Sequence, residues 1–589
     1  MSLRGLLSRL LSVFLPLAIT SSIYLYLYPV FHRCAFPLPE TNNHGGALSS
    51  SFLNTIRHHI SPESAAEPAI FRLLVLADPQ LEGDSSLPKP ENQLPARLKR
   101  HWGTIKTAVD EQSSPVHRHV FTAVLEALHT IAAEDIPRAV RAARKRLDLL
   151  GNDYYLAHVY RTIYWWTQPT HVTVLGDLIG SQWVTDEEFD RRGHRYWDRV
   201  FQGGERVDDE ITAPGARGYE GSGVELETLN GSHEGPWTRR IINIVGNHDV
   251  GYSGDASESR IERFERMFGR SNWDVKFRHP MLQQTGDSSN TSSSSSSSTT
   301  PTTTPTLHLI NLNTLTLDAP AFSSDIQANS YSYINDLITK RSYPVDDRTT
   351  FTLLLTHLPL HKREGICTDG PHFTFFDADD ENGPDDTPRY LAGGLREQNH
   401  LSEQISATGI LQGIFGMSGD EDGPGGGWGR NGLILTGHDH TGCDVVHYVE
   451  RSPAEATGGR PDNATEEPEE EHQPWRWEAR RFGHPGSAER APSIREVTLR
   501  SMMGEYGGYA GLLSLWFDAD PAVNEWKYEI TMCAAGVQHI WWAVHVVDLV
   551  TVLLLVVYSL TRPAKISPEV KAVSKNGRAP QGKGKSKQS

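Results

Sequence analysis

Two long apolar segments lie near the two ends of the 589-residue chain, at residues 10–31 and residues 540–560. About 20 mainly apolar residues are enough to cross the hydrocarbon core of a bilayer, so both segments are predicted to be transmembrane helices. Arg4 and Arg9 precede the first segment, which ends in tyrosines and a proline rather than in the small residues of a cleavage site. This pattern favours an uncleaved anchor over a signal peptide. For the second segment, the alternative is a buried core helix.

The second segment carries His545 and Asp548 one helical turn apart. Because a carboxylate in lipid is costly, we expect this pair to face other protein, with a functional role as the alternative. The following residues, 561–589, include eight lysines and arginines and one glutamate. The positive-inside rule therefore predicts that residues 1–9 and this tail are cytosolic and that the chain between the two spans is lumenal.

The last five residues, KSKQS, match the KxKxx pattern of a dilysine retrieval signal, which a receptor reads as an address. The pattern predicts a membrane protein of the endoplasmic reticulum that cycles through the early Golgi and is returned by the retrieval coat. Glycosylation sequons at Asn230, Asn290 and Asn463 agree with a lumenal position for the middle of the chain.

Composition narrows the class of protein. Charged residues make up 22% of the chain and hydrophobic residues 38%, which excludes a many-pass transporter and a wholly disordered chain. The net charge of −17 argues against nucleic acid as a partner, because phosphate repels an acidic protein. Four cysteines are too few for a disulfide scaffold or a structural zinc cluster.

Short apolar runs between the anchors predict buried strands of an α/β fold. These runs are residues 71–77, 171–175, 241–245, 307–311, 351–355 and 433–435. A helical pattern covers about residues 117–166, between the first two runs. Two low-complexity segments, residues 287–306 and 451–492, predict surface insertions. We therefore predict a linker over residues 32–69 and one large domain over residues 70–530.

Polar side chains follow five of these runs directly, where ligands bind in layered α/β folds. They are Asp78 and Gln80, then Asp177, then Asn247, His248 and Asp249, then His357, and finally His438 and His440. One such residue is usually a cap or a turn, whereas five sites in order predict a metal centre. Oxygen and imidazole ligands without thiolate suit Mn²⁺, Zn²⁺ or iron.

This order of motifs resembles the calcineurin-like metallophosphoesterases. The resemblance rests on Asp78, Gly176-Asp177, the segment GNHD at 246–249, His357 and the segment GHDH at 437–440. It implies a four-layer αββα sandwich that holds two divalent metal ions, with Mn²⁺ expected and Zn²⁺ or iron as alternatives. The implied ligands are Asp78, Gln80, Asp177 and His440 for the first ion, and Asp177, Asn247, His357 and His438 for the second. His248 matches the catalytic histidine of the family, and Asp249 is expected to orient it by accepting a hydrogen bond.

Gln80 departs from the family pattern, in which most members have a histidine at this position. A glutamine offers a neutral amide oxygen, which is a weaker and harder ligand than imidazole. Gln80 therefore predicts weak binding of the first ion, binding through water, a preference for Mn²⁺, or a decayed site.

Segments beside the ligands narrow the resemblance to a fungal branch that acts on GPI anchors. These segments read DPQL, HLPL, GHDHTGC and SMMGEYGGYAG. The branch implies a membrane-bound phosphodiesterase that removes ethanolamine phosphate from a mannose of the GPI glycan and aids export of GPI-anchored proteins. Its substrate would be a GPI-anchored protein or a GPI glycolipid. Two alternatives remain, namely an esterase for another lumenal phosphoester and a non-catalytic, membrane-tethered cargo-binding protein with a degenerate site.

Cys367 and Cys443 each follow a segment that carries predicted ligands. In an oxidising lumen, a disulfide between them would join two loops of the site. Two buried free thiols are the alternative.

Overall fold

The computed structural model describes residues 2–39, 47–60, 71–83, 87–110, 116–213, 224–225, 236–279, 304–341, 344–378, 388–451, 475–483 and 491–561. The three sequons, most of the predicted insertion at 287–306 and the basic tail beyond residue 561 lie outside these residues.

The elements alternate between helices and strands over most of the chain. The helices are α1 (Leu3–Tyr26), α2 (Tyr28–Phe31), α3 (Ala47–Ile60), α4 (Leu94–Asp110), α5 (Val116–Thr130), α6 (Ile136–Thr167), α7 (Asp186–Arg195), α8 (Asp209–Thr212), α9 (Asn247–Val250), α10 (Glu258–Phe268), α11 (Ser324–Lys340) and α12 (Gln538–Leu560). The strands are β1 (Phe71–Leu76), β2 (His171–Val174), β3 (Glu205–Arg206), β4 (Val224–Glu225), β5 (Arg240–Asn243), β6 (Trp273–Arg278), β7 (Thr306–Asn311), β8 (Thr350–Leu355), β9 (Phe373–Phe375), β10 (Leu395–Gln398), β11 (Gly432–Thr436), β12 (Cys443–Arg451), β13 (Trp475–Arg481), β14 (Ser493–Thr498), β15 (Tyr509–Asp518) and β16 (Glu525–Ala534). A π-helical segment, Ile131–Asp135, joins α5 to α6.

Two large sheets share one hydrophobic core. One sheet has the order β16-β15-β1-β2-β5-β3 and the other the order β13-β12-β14-β11-β8-β7-β6-β4, while β9 and β10 pair separately. Leu73 and Val75 of the first sheet belong to the same buried cluster as Leu309, Leu353 and Leu435 of the second sheet. The two sheets therefore pack face to face in a mixed α/β fold, and the four-layer order stays a prediction.

Parallel pairing brings the carboxyl ends of the central strands to one edge. In the first sheet β1, β2 and β5 run parallel, and in the second sheet β7, β8, β11 and β14 do so. The six predicted strands correspond to β1, β2, β5, β7, β8 and β11, and the predicted helix corresponds to α5 and α6. Both sheets consequently direct their loops toward a common site.

Several predicted boundaries are corrected by the structure. The first apolar helix is Leu3–Tyr26 rather than residues 10–31. It ends before Pro29, because this residue has no backbone N–H to donate to the carbonyl of Leu25. The predicted linker contains α3, and the predicted insertion at 451–492 contributes β13, which pairs antiparallel with β12. Two tryptophans, Trp475 and Trp477, lie in that strand, and aromatic residues favour strands. The domain also extends past residue 530, since β16 ends at Ala534.

All four cysteines form disulfides. Cys367 pairs with Cys443, which is the bridge that the sequence favoured over free thiols. Cys34 pairs with Cys533 and joins the segment after α2 to β16. This second bridge was not predicted, because a separation of 499 residues leaves no local signal in the sequence.

The chain divides into two compact units, residues 24–542 and a second unit that combines Met1–Ile23 with Ala543–Ser589. Within the second unit, the Ser22 hydroxyl donates to both carboxylate oxygens of Asp548, at 3.1 and 2.9 Å. Asp548 therefore faces protein, as predicted. The helices α1 and α12 are each long and apolar enough to cross a membrane.

Candidate metal centre

Four of the predicted ligands have left-handed backbone conformations. The φ angles are 51° at Asp78, 39° at Gln80, 52° at Asp177 and 71° at His438. Such angles cost a non-glycine residue about 1–3 kcal/mol, and they cluster at functional sites where the surrounding structure holds them. The loops at this sheet edge are therefore shaped for the placement of these side chains rather than for local stability.

Two glycines allow the loops to approach each other closely. A Cβ atom at Gly246 would collide with the backbone nitrogen and carboxylate of Asp177, and one at Gly437 would collide with the carbonyl oxygen of Leu175. Only a residue without a side chain fits at either position. These contacts bring the ends of β2, β5 and β11 together.

The first cluster of ligand atoms combines Asp78, Asp177 and His440, whose atoms lie within 4.8 Å of one another. The side-chain nitrogen Nε2 of Gln80 lies 3.1 Å from Oδ2 of Asp177 and 3.1 Å from Nε2 of His440. On the opposite side of its ring, Nδ1 of His440 lies 3.3 Å from the hydroxyl of Tyr506. All four residues that the sequence grouped around the first ion therefore meet here.

The second cluster combines Asp177, His357 and His438, again within 4.8 Å. Nδ1 of His357 donates to the carbonyl of Leu175 at 2.8 Å, and Nε2 of His438 donates to the carbonyl of Gln398 at 3.0 Å. The remaining ring nitrogens are acceptors in these tautomers, and they lie 2.9 and 3.0 Å from Oδ1 of Asn247. A backbone bond on the outer ring nitrogen is the usual way in which metal-binding histidines are oriented.

The donor set fits two divalent cations that share Asp177. Oδ2 of the fully buried Asp78 accepts no hydrogen bond from the described residues, and a buried carboxylate oxygen needs a positive partner. Burial, followed by the charge of Asp177, raises the pKa of Asp78 well above its usual value. Burial would also raise the pKa of Asp177, but His357, His248 and His438 lower it overall. A cation at each cluster would offset the electrostatic repulsion between the carboxylate oxygens and the other acceptor atoms that meet there.

His248 lies beside the clusters with its ring toward an open cavity. Its backbone N–H donates to Oδ1 of Asp177 at 2.8 Å, and its Nε2 lies 3.8 Å from Oδ2 of the same residue. The side chain is 38% exposed, so it can reach a bound ligand.

The expected role of Asp249 is corrected. This carboxylate is fully buried and accepts hydrogen bonds from the backbone N–H groups of Ile179 (3.0 Å) and Gly246 (2.9 Å). Both oxygens are therefore used to hold the loops after β2 and β5. Asp249 positions the loop that carries Asn247 and His248 rather than the ring of His248.

A cavity of about 500 Å³ opens in front of the clusters. Its far wall has three aromatic side chains, Trp183, Phe376 and Tyr390, with the rings of Phe376 and Tyr390 stacked at 4.5 Å. Arg389, Arg396 and Glu397 add charge to the same cavity. Sequence reasoning missed this wall, since its residues come from separate loops without a shared motif.

A buried ionic network supports the loop after His357. Nζ of Lys362 lies 3.0 Å from Oε2 of Glu496, and Nε2 of His447 lies 2.6 Å from the same oxygen. Oε1 of Glu496 accepts the backbone N–H of Leu360 at 3.0 Å. Burial alone would raise the pKa of Glu496, but Lys362 and His447 lower it to about 2. This network ties the His357 loop to β14, which neighbours β11. No signal in the sequence pointed to it.

Two ligand clusters that share an aspartate, with a histidine beside them at the carboxyl edge of paired sheets, define a metallophosphoesterase. The chain belongs to the calcineurin-like metallophosphoesterases, in the branch that includes Protein TED1 of Saccharomyces cerevisiae. That protein is 32% identical over 437 residues, which cover 69% of this chain and 77% of the yeast protein.

Two further relatives match different shares of the chain. An uncharacterized protein of Schizosaccharomyces pombe is 26% identical over 484 residues, which cover 77% of this chain and 90% of that protein. Metallophosphoesterase 1 of Mus musculus is 26% identical over 171 residues, which cover 29% of this chain and 32% of the mouse protein. No family model matches the chain.

Proposed function

We propose that this protein is a membrane-bound, metal-dependent phosphodiesterase that removes ethanolamine phosphate from a mannose of the GPI glycan. The observation that carries the proposal is the pair of ligand clusters sharing Asp177, with His248 beside them in the open cavity. The reaction would take place in the lumen of the endoplasmic reticulum and would aid export of GPI-anchored proteins. Two apolar helices support attachment to a membrane. In this proposal the KSKQS segment binds the retrieval coat, and Mn²⁺ is the preferred metal.

The residues of the chain have separate roles in this proposal. Two divalent cations, when bound, would lower the pKa of a water molecule and neutralise charge on the phosphoryl oxygens. His357 and His438 keep their protons on the outer ring nitrogens, through the carbonyls of Leu175 and Gln398. His248 faces the cavity and can donate a proton to the leaving alkoxide.

The far wall of the cavity fits the proposed substrate. Ethanolamine phosphate on a mannose presents an ammonium, a phosphate and a sugar ring. Arg260 lies over the ring of Trp183 at 4.4 Å and Arg396 over the ring of Phe376 at 5.7 Å, so the carboxylate of Glu397 is the group that would attract the ammonium. Arg389 and Arg396 offer donors to a phosphate or to sugar hydroxyls.

The test uses the purified full chain with two substrates, a GPI glycan that carries ethanolamine phosphate and bis-p-nitrophenyl phosphate. We expect Mn²⁺-dependent cleavage of both. Trp183→Ala should raise KM for the glycan more than KM for bis-p-nitrophenyl phosphate, because the larger glycan fills more of the cavity that Trp183 lines.

Mass spectrometry of GPI glycans from cells without the protein separates the alternatives. Excess ethanolamine phosphate on a mannose supports the proposal. An unchanged glycan together with cleavage of the small ester would indicate another phosphoester substrate. Failure to cleave either substrate would favour the cargo-binding alternative.

A further inference from the structure

The long helix formed by α5, the π-helical segment and α6 exposes a continuous row of apolar side chains. We call this row the apolar stripe; its members are Phe121, Leu125, Leu128, Ile136, Val140, Leu147, Leu150 and Tyr154, with exposures of 38–63%. Small gaps in the row are filled by exposed Ala132 and Ala143. The spacing of three or four residues keeps all of them on one face of a helix. A stripe of this length is unusual on a soluble surface and indicates a covering partner.

A second helix adds to this apolar surface. The helix α4 packs beside α5 and exposes Leu98, Trp102 and Val109, by 42%, 70% and 54%. These three residues also follow helical spacing. The apolar surface is therefore a property of the helical layer between β1 and β2, and not of one isolated side chain.

The end of the apolar stripe lies next to the start of α12. Nε2 of Gln538 donates to Oδ1 of Asn152 at 3.3 Å, and the rings of Tyr155 and Trp541 are 6.3 Å apart. Trp542 lies against Gly151, where a Cβ atom would collide with its ring. Tryptophans at the end of a membrane helix mark the lipid–water boundary. The Tyr154 end of the stripe therefore lies at the depth at which α12 would enter a bilayer.

Basic residues border the apolar stripe. Arg144 and Arg146 are exposed, and at about 100° per residue they lie on the two flanks of the stripe. An apolar face flanked by long basic side chains is typical of helices that lie in the membrane interface, where the charged ends reach lipid phosphates.

We propose that α5 and α6 lie flat on the bilayer that α12 crosses, with the apolar stripe at the boundary of headgroups and acyl chains and the flanking arginines on phospholipid phosphates. The inference does not depend on the reaction that the metal centre performs. Such contact would orient the metal centre relative to the membrane. The helix α6 ends at Thr167 and β2 begins at His171, and Asp177 follows the end of β2. A helix fixed on the membrane would thereby hold the metal centre at a constant height above it.

Spin labelling of the full chain in phospholipid nanodiscs tests the proposal. Since all four native cysteines form disulfides, one introduced cysteine can be labelled specifically. Labels would be placed separately at Leu147→Cys and Val140→Cys, with Asp336→Cys on α11 as the control, because the side chain of Asp336 is 65% exposed. Cleavage of bis-p-nitrophenyl phosphate, or an unchanged melting temperature, confirms folding of each labelled protein.

We expect both stripe labels to collide several-fold more often with oxygen, which concentrates in lipid, than with a water-soluble nickel complex. The control label should show the reverse preference. Equal access of nickel to the stripe and control labels would overturn the proposal. Shielding of the stripe labels from both reagents would also overturn it, because it would mean that protein, such as a second copy, covers the stripe.

Discussion

Nε2 of Gln80 lies 3.1 Å from Nε2 of His440, in the middle of the first ligand cluster. The same nitrogen lies 3.1 Å from Asp177, so the amide occupies the place where most of the family has an imidazole. A half-turn of the amide would present Oε1 instead of Nε2 to the cluster. In that orientation Gln80 would offer a neutral amide oxygen to a cation at the first cluster, whose other predicted donors are all present.

Replacing Gln80 should change metal retention in both directions. Gln80→His supplies an imidazole ligand and should slow loss of Mn²⁺ to a chelator, whereas Gln80→Ala should speed it by about tenfold, the lower end of the effect seen for groups that support a metal. Metal analysis after timed dialysis measures this. Equal retention by all three proteins would show that residue 80 does not contribute to the site.

Asp177 and His248 should separate metal binding from turnover. Asp177→Asn removes a carboxylate shared by both clusters and should lower the content of both ions. His248→Ala should keep the metals and lower kcat about 10²–10⁴-fold, which is the usual contribution of a general acid. Metal analysis and hydrolysis of bis-p-nitrophenyl phosphate measure the two effects. A fully active Asp177→Asn protein would contradict the assignment of the site.

The two disulfides should have different effects when they are removed. Cys443 lies three residues after His440, so Cys367→Ala with Cys443→Ala should loosen a ligand loop and lower activity as well as stability. Cys34→Ala with Cys533→Ala should lower the free energy of unfolding by about 2–5 kcal/mol and leave kcat of the folded fraction unchanged. Activity and thermal unfolding of the two double variants make the comparison. A loss of kcat in the variant without Cys34 and Cys533, but not in the other variant, would contradict this prediction.

His171 should make the protein less stable in acid. This side chain stacks on Phe71 at 4.1 Å, and burial lowers its pKa to about 3. As the pH falls below about 6.5, the unfolded chain binds a proton that folded His171 does not bind. The free energy of unfolding should then fall by up to about 1.4 kcal/mol per pH unit from this residue until the pH nears the folded pKa.

His171→Phe removes the titrating group and keeps an aromatic ring beside Phe71. The slope of stability against pH between about 6.5 and 4 should become smaller than in the wild type. Thermal unfolding in detergent over this range measures the difference. Identical slopes for the two proteins would mean that His171 does not contribute to acid sensitivity.

Much of the core and the site could be predicted because the signals are local. A buried parallel strand requires a continuous apolar run, and the side chain that follows it lies at the edge of the sheet. This is why β1 with Asp78, β2 with Asp177 and β8 with His357 were recognisable. The strand β13 was missed because it lies within a segment whose average composition is that of a surface loop.

The sequence by itself determined the order of the ligands, the central strands and the two apolar terminal helices, since each depends on residues close together in the chain. Only the tertiary structure decided how distant residues meet. In the folded chain Asp249 accepts hydrogen bonds from backbone N–H groups rather than from His248, and Cys34 forms a disulfide with Cys533. It also built the aromatic wall from Trp183, Phe376 and Tyr390, because packing of the two sheets brings together loops that share no pattern.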